Sequence, residues 1–434
     1  MICRALALLA LVCSAAAGAQ KTAGLDAALA RLAASGQFSG AVVVRDARGV
    51  RFARGYGLAD PFTGRAFTPE TPVDSGSLAK PVTAAAVLVL AREGRIGLDN
   101  PVRRYLPAYP HRTTTIRHLL AHSAGLSGGE SPQALAGKTN AQLVASTAGR
   151  APDFRPGSTF AYCNYCYMAL ADLIERVSGR PYLDFARARL GLPEGVTIRP
   201  ARLADWTGRA IGYRRSADGA IERADSYDDE RLYGTGNLSI SASQLAQWGT
   251  AWWGPRLAGV RAVATRPARI GGARSGLSWG NWYCAPRGKR CHYLGHHEGF
   301  HNMLYWNADR RLSVAMVSNN GLAPALQQRL QRAIVAFAEG RETAGRQEIA
   351  RPLADGPISA GSFALGSGER VTVTNGAAGM AVAQAGITYR GFPVANGIRY
   401  VPGLDTYVSA EPGGGLRWLS LYRDAIATPA GRRR

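Results

Sequence analysis

The sequence predicts an α+β protein built on a mainly antiparallel sheet flanked by helices, followed by a small all-β domain. Three observations carry this expectation. Helix-spaced and strand-patterned stretches segregate along the chain, which disfavours a parallel βαβ sheet. A polar, proline-punctuated segment at 341–357 then interrupts the pattern. Beyond it only short alternating stretches occur, most of them separated by glycine. At 434 residues, 46% hydrophobic and 19% charged, the chain has material for a sizeable core and exceeds one small module. Collagen-like, coiled-coil and disordered chains are excluded by the same proportions.

The elements follow in order. Met1–Ala19 reads as a secretory signal, with Arg4, the apolar run Ala5–Val12 and a small-residue cleavage site at Ala17-Gly18-Ala19. Cys13 follows Val12, where lipid attachment wants a small residue, so soluble export to a periplasm or the medium is expected. No later apolar run reaches the roughly 18–20 residues of a spanning helix, so no transmembrane segment is expected. Leu25–Ala34 has helical spacing, and Gly40–Arg45 with Gly49–Arg54 reads as a hairpin. Lys80–Arg92 predicts a buried helix stopped by Gly94, and Tyr165–Val177 a second helix with Asn164 placed to cap it. Ser241-Ala242-Ser243-Gln244 opens a third with a capping box. His301–Trp306 and Arg311–Ser318 predict a hairpin, and Leu322–Glu339 an amphipathic helix. The strands expected after the linker are Val371–Thr374, Met380–Ala385, Ile398–Val401, Thr406–Ala410 and Leu416–Tyr422. The domains are therefore 20–345 and 346–434, after a signal at 1–19.

Lys+Arg number 52 against 30 Asp+Glu, a formal charge of +22. The arginines are scattered along the chain without a finger, RNA-sheet or homeodomain pattern, so no nucleic-acid partner is expected. The excess is compatible with association with an anionic cell envelope. Removal of the signal leaves Cys163, Cys166, Cys284 and Cys291. Cys284 and Cys291 bracket a turn containing Pro286 and Gly288, which makes them the preferred bridge. For Cys163 and Cys166 a second bridge, a redox pair and half a metal site stay open. No thioredoxin-like pattern surrounds them, which favours a structural role.

Three segments carry chemistry. Ser77-Leu78-Ala79-Lys80 places a serine at a helix entrance and an amine on the same face three residues later. Only an amine that can lose its proton suits such a partner, and this chain has just four lysines, Lys21, Lys80, Lys138 and Lys289. The plain alternative for Ser77 is a helix cap. Tyr162-Cys163-Asn164 offers a phenol and an amide at a second helix entrance, where Asn164 alone is more often a cap. His297-Glu298-Gly299 precedes a strand, where glycine admits close approach of a substrate.

The order and spacing of these segments resemble the serine β-lactamase and penicillin-binding-protein superfamily, above all its class C β-lactamase-like esterases and D-aminopeptidases. The resemblance runs from about Leu25 to Glu339. It includes Phe38–Val44, Gly94–Pro101 and the stretch Thr115–Leu126 with His118 and His122, both read as structural. It implies a β-lactamase/transpeptidase-like sheet with a helical subdomain and no cofactor or metal. Ser77 is then the nucleophile, Lys80 its base or electrostatic partner, and Tyr162 the second acid/base group. Asn164 would hydrogen-bond Lys80 or substrate, and His297 and Gly299 would line a third wall. The backbone amides of Ser77 and Phe300 would form the oxyanion hole. One departure stands out: the β-lactamases and transpeptidases of the superfamily usually carry lysine where His297 stands. An exported serine hydrolase acting on small-molecule or peptide substrates (esters, amides or peptides) is thus favoured over a β-lactamase or D,D-peptidase of the same fold.

Two rival motifs are present. Gly276-Leu277-Ser278-Trp279-Gly280 is a literal G-x-S-x-G, but too few residues follow for an α/β-hydrolase acid and histidine. Ala121-His122-Ser123-Ala124-Gly125 is a weaker match to the same pattern. His297-Glu298-Gly299-Phe300-His301 is a literal H-E-x-x-H, the zinc-metallopeptidase signature, which requires a helix where these residues favour strands.

Overall fold

The computed structural model describes residues 24–126, 136–148, 150–215, 220–225, 232–322, 324–342, 345, 358–365, 370–376, 379–384, 387–390, 392–395, 398–401, 406–411, 415–419 and 424–429. The predicted signal and most of the predicted linker lie outside them. The fold is α+β. Its centre is an eight-stranded antiparallel sheet, in the order Pro267–Ile270, Ala273–Ser278, Tyr283–Cys284, Arg290–His297, Phe300–Asn307, Leu312–Ser318, Gly40–Asp46 and Gly49–Tyr56. The N-terminal hairpin thus closes against the last strand of the domain, with Val42 opposite Met316 and Val44 opposite Val314.

Both faces of this sheet are covered. Side chains alternate across a strand, so Ala41, Val43, Ala315 and Val317 join one core while Val42, Val44, Val314 and Met316 join the other. The second core lies under helix 24–34 and the helix Pro324–Ala338, through Leu330, Ile334 and Val335. The first holds the helices Ala79–Arg92, Asn164–Ser178 and Ala242–Ala251, with Trp248, Trp252, Trp282 and Trp306 stacked edge and face against one another. Double-sided burial is why these strands read as continuous apolar runs.

Ala79–Arg92 is buried at every position from Ala79 to Leu90. Its many alanines let the helices Asn164–Ser178, Tyr182–Leu190 and Ala258–Ala264 pack against it. Ser241 caps Ala242–Ala251 in a reciprocal box with Gln244, as the sequence predicts. Asn164 departs from expectation. The cap of Asn164–Ser178 is Cys163, whose sulfur accepts from the Cys166 amide, and Asn164 is already helical. Cys163 and Cys166 are joined across that first turn, and Cys284 and Cys291 across the hairpin at Ala285–Arg290.

The C-terminal residues form a separate nine-stranded sheet in the order Ile387–Arg390, Gly379–Gln384, Arg370–Gly376, Gly361–Ala364, Asp424–Pro429, Gly415–Leu419, Thr406–Glu411, Ile398–Val401 and Phe392–Ala395. Four of these strands, Gly361–Ala364, Ile387–Arg390, Phe392–Ala395 and Asp424–Pro429, were not expected from sequence. Each is short or interrupted by glycine or proline, which erases the alternation that marks a strand. The Tyr389 ring lies 5.5 Å from that of Phe160 in the first domain.

Candidate active site

The strand Val73–Asp74 runs into a single tight turn, Gly76–Leu78, and then into the helix Ala79–Arg92. Gly76 has φ +51°, and a Cβ there would meet the His296 backbone at 2.7 Å. On the facing strand a Cβ at Gly295 would meet the Ser75 carbonyl at 2.0 Å. The Ser77 turn therefore lies directly on the strand Arg290–His297, backbone against backbone. Neither contact tolerates a larger residue.

Ser77 and Lys80 come together because they lie three residues apart at the start of one helix. Lys80 Nζ lies 3.1 Å from Ser77 Oγ and donates to the Thr235 carbonyl at 2.8 Å. Lys80 is fully buried. Burial alone pushes its amine well below the ordinary lysine value. The Tyr162 hydroxyl donates to Ser77 Oγ at 2.7 Å and lies 3.3 Å from the Tyr293 hydroxyl. Burial pushes the Tyr162 phenol up to about 12, against the opposing pull of the Ser77 and Tyr293 hydroxyls. Behind Tyr162 the His122 ring is stacked at 4.6 Å. His122 accepts from the Cys163 amide through Nδ1 and reaches Asn281 Oδ1 through Nε2. Burial, with Lys80 nearby, lowers this imidazole to about 3, so it is a neutral, fixed support.

Asn164 does not bond Lys80 directly. Its Oδ1 accepts from Thr235 Oγ1 at 2.7 Å, and the Thr235 carbonyl takes the lysine. The amide thus positions the residue that positions the amine. Thr83, one turn after Lys80, fixes the same loop by donating to the Gly234 carbonyl.

The segment 297–301 is a hairpin. His297 pairs with Phe300 and His296 with His301, so Glu298-Gly299 is a two-residue turn. This removes the helix that an H-E-x-x-H zinc site requires, and His301 Nδ1 is engaged by Gln327 at 3.0 Å. Gly299 has φ +76°, and a Cβ there would meet Gly212 Cα at 2.7 Å. Gly299 thus also admits the close approach of the Gly212 backbone. His297 Nδ1 lies 3.1 Å from Asp74 Oδ2. Ser278 ends a strand, is 2% exposed, and accepts the Trp282 amide. Among the described residues no amine or imidazole bonds its hydroxyl. Ser123 is equally buried, at 1%.

Sequence reasoning missed Tyr293, Thr235, Asp74 and Arg199. Each reaches the site from a distant or unpatterned segment, and none belongs to a short motif. Of the four, Asp74 alone lies close in sequence to a motif, three positions before Ser77.

The Beta-lactamase family model matches residues 25–339. The chain belongs to the Beta-lactamase family. Its relatives are penicillin-binding proteins, D-aminopeptidases and esterases of the serine β-lactamase/transpeptidase superfamily. It is 33% identical to Penicillin-binding protein 4 of Amycolatopsis lactamdurans over 146 residues, covering 31% of this chain and 37% of that one. It is 30% identical to a D-aminopeptidase of Brucella anthropi over 165 residues, covering 36% and 31%. The chain spans only about a third to a half of the curated relatives first matched, 37%, 54% and 31% of their lengths. The octameric penicillin-binding protein homologue from Pyrococcus abyssi shares the fold with a TM-score of 0.63 at 17% identity, covering 92% of this chain and 97% of that one. Within the family's fold, the three predicted segments meet around the Ser77 turn. The resemblance read from the sequence to this superfamily is thereby established.

Proposed function

We propose that this member of the Beta-lactamase family is a serine hydrolase working through an acyl-enzyme on Ser77. One observation carries the reading: Ser77 Oγ stands between a buried amine at 3.1 Å and a half-buried phenol at 2.7 Å. An amine whose pKa is lowered by burial gives up its proton more readily, as a general base must. A phenol raised to about 12 keeps its proton and suits a donor. Lys80 therefore takes the proton as Ser77 Oγ attacks the acyl carbon, and Tyr162 passes one to the leaving group. The amides of Ser77 and Phe300 hold the developing oxyanion. Deacylation reverses the roles, with water in place of the leaving group.

The substrate class is esters, amides or small peptides in preference to penicillins and cephalosporins. The support is His297, whose Nδ1 is engaged by Asp74 where β-lactamases and transpeptidases usually present a free lysine ammonium. A D-aminopeptidase among the relatives agrees with an amide-cleaving activity. Export through a signal at 1–19 fits two disulfides, which persist in oxidising compartments. Contact with an anionic envelope fits the +22 charge. The division into domains 20–345 and 346–434 fits two separate sheets.

A fluorophosphonate probe followed by peptide mass spectrometry tests the nucleophile, and the adduct is expected on Ser77. Labelling of Ser278 or Ser123 instead would overturn it. A kcat/KM panel of p-nitrophenyl esters, D-amino-acid amides and nitrocefin tests the substrate class. Nitrocefin ahead by tenfold would reverse that preference.

A further inference from the structure

Asp74 is a buried carboxylate, 1% exposed, three residues before Ser77. Its Oδ1 accepts the Gly76 amide at 2.8 Å, so it braces the turn that presents the serine. Its Oδ2 lies 3.1 Å from His297 Nδ1 and 3.1 Å from Nε of Arg199, itself 2% exposed. Its backbone carbonyl accepts Asn302 Nδ2 at 2.8 Å, from the strand that begins at Phe300. Asp74 and Arg199 reach each other across the strand Leu238–Ile240, which pairs with Val73–Asp74 on one side and Thr197–Ile198 on the other. One carboxylate thus joins the nucleophile turn, the His297 hairpin and a third strand. Burial would raise the Asp74 carboxyl, but His297, Arg199 and the Gly76 amide together hold it below the usual carboxylate range. A buried ion pair is a poor source of stability, because desolvating both charges offsets their attraction. Its place beside the reacting serine points to precision as its use.

We propose that Asp74 is a positioning residue for acyl transfer. Its carboxylate fastens His297 to the Gly76–Ser77 turn, so the nucleophile and the third wall keep one geometry through the reaction. Both ends of the linkage are needed for this, and loss of either uncouples them. The inference rests on Ser77 as the nucleophile. It goes further by assigning a task to a residue outside every motif.

The test is a double-variant cycle on the full chain with a p-nitrophenyl ester. Asp74→Asn, His297→Gln and the pair are each compared with the unaltered protein, and kcat is expressed per fluorophosphonate-labelled Ser77. Labelling is run to its end point, so that slow but folded molecules are counted with the rest. Asp74→Asn is expected to lower kcat per labelled site about tenfold or more while KM moves less than about threefold. The pair should be no more than about twofold worse than Asp74→Asn alone, because both changes cut one linkage. Asp74→Asn with unchanged kcat per labelled site, whatever its yield, would overturn the proposal. Fully multiplicative losses in the pair would do the same. His297→Gln is half-buried and keeps the cycle informative if the Asp74 variant folds poorly, since an unchanged kcat there also refutes the linkage. Absence of any Ser77 adduct in the unaltered protein is a different failure, that of the nucleophile assignment, and takes this inference with it.

Discussion

Ser77 and Ser278 both sit in literal serine-hydrolase motifs, yet their surroundings differ in every respect that chemistry requires. Ser77 lies on a tight turn at a helix entrance, with a desolvated amine and a phenol on its hydroxyl. Ser278 ends a strand, and its hydroxyl accepts the amide of Trp282. The first hydroxyl faces groups that move protons, and the second stitches a turn. A motif in the sequence is therefore only an address. What makes a nucleophile is the environment that can take its proton and stabilise the charge left behind.

The contrast breaks most visibly at the serines themselves. Ser77→Ala should lower kcat/KM by at least about a thousandfold, about 4 kcal/mol of transition-state stabilisation, measured on an activated ester. If Lys80 acts as an amine and not as a charge, Lys80→Arg should fall within about tenfold of Lys80→Ala in steady-state kinetics. Tyr162→Phe, which removes the proton donor and leaves the ring on His122, should cost about 10²–10⁴ in kcat. Stopped-flow detection of the acyl-enzyme would show whether the loss falls on acylation or on deacylation.

The pH profile sharpens the same comparison. If Lys80 is the general base, kcat/KM should fall as pH drops and the buried amine takes up a proton. Because burial lowers the lysine value, that limb lies well below the ordinary lysine range. Tyr162 is raised to about 12, so no alkaline loss from the phenol is expected below about pH 10. A limb at the ordinary lysine value would contradict the desolvation argument. The smallest effect belongs to Ser278→Ala. Its loss leaves the Trp282 amide without its acceptor and should cost about 1–3 kcal/mol in urea unfolding. Activity per folded molecule should be unchanged.

Much of this protein was legible from local chemistry. The Ser77–Lys80 pair was visible because a three-residue helical spacing fixes it by itself. The hairpin Gly40–Tyr56 and the capping box at Ser241 followed from patterns only a few residues long. Asn164 was misread at one level, since Cys163 is the cap and the Asn164 amide accepts from Thr235 instead. The missed strands of the C-terminal sheet are only four to six residues long, and proline interrupts one of them, Phe392–Ala395. Gly299 drew notice for the approach of a substrate, and the structure adds that the Gly212 backbone packs against it.

By itself the sequence determined the class of chemistry: an amine three residues from a serine, a phenol at a second helix entrance, and a glycine-bearing hairpin in fixed order. Tertiary structure alone decided what those groups can do. Burial sets the lysine and tyrosine proton affinities, and burial is a property of the layers packed around Ala79–Arg92. The union of Asp74, Arg199 and His297 was equally beyond the sequence, because it takes the pairing of Leu238–Ile240 with two distant strands and the seating of the Ser77 turn on Arg290–His297 to bring them together. Local spacing names the reactants, and only a closed core fixes the medium in which they react.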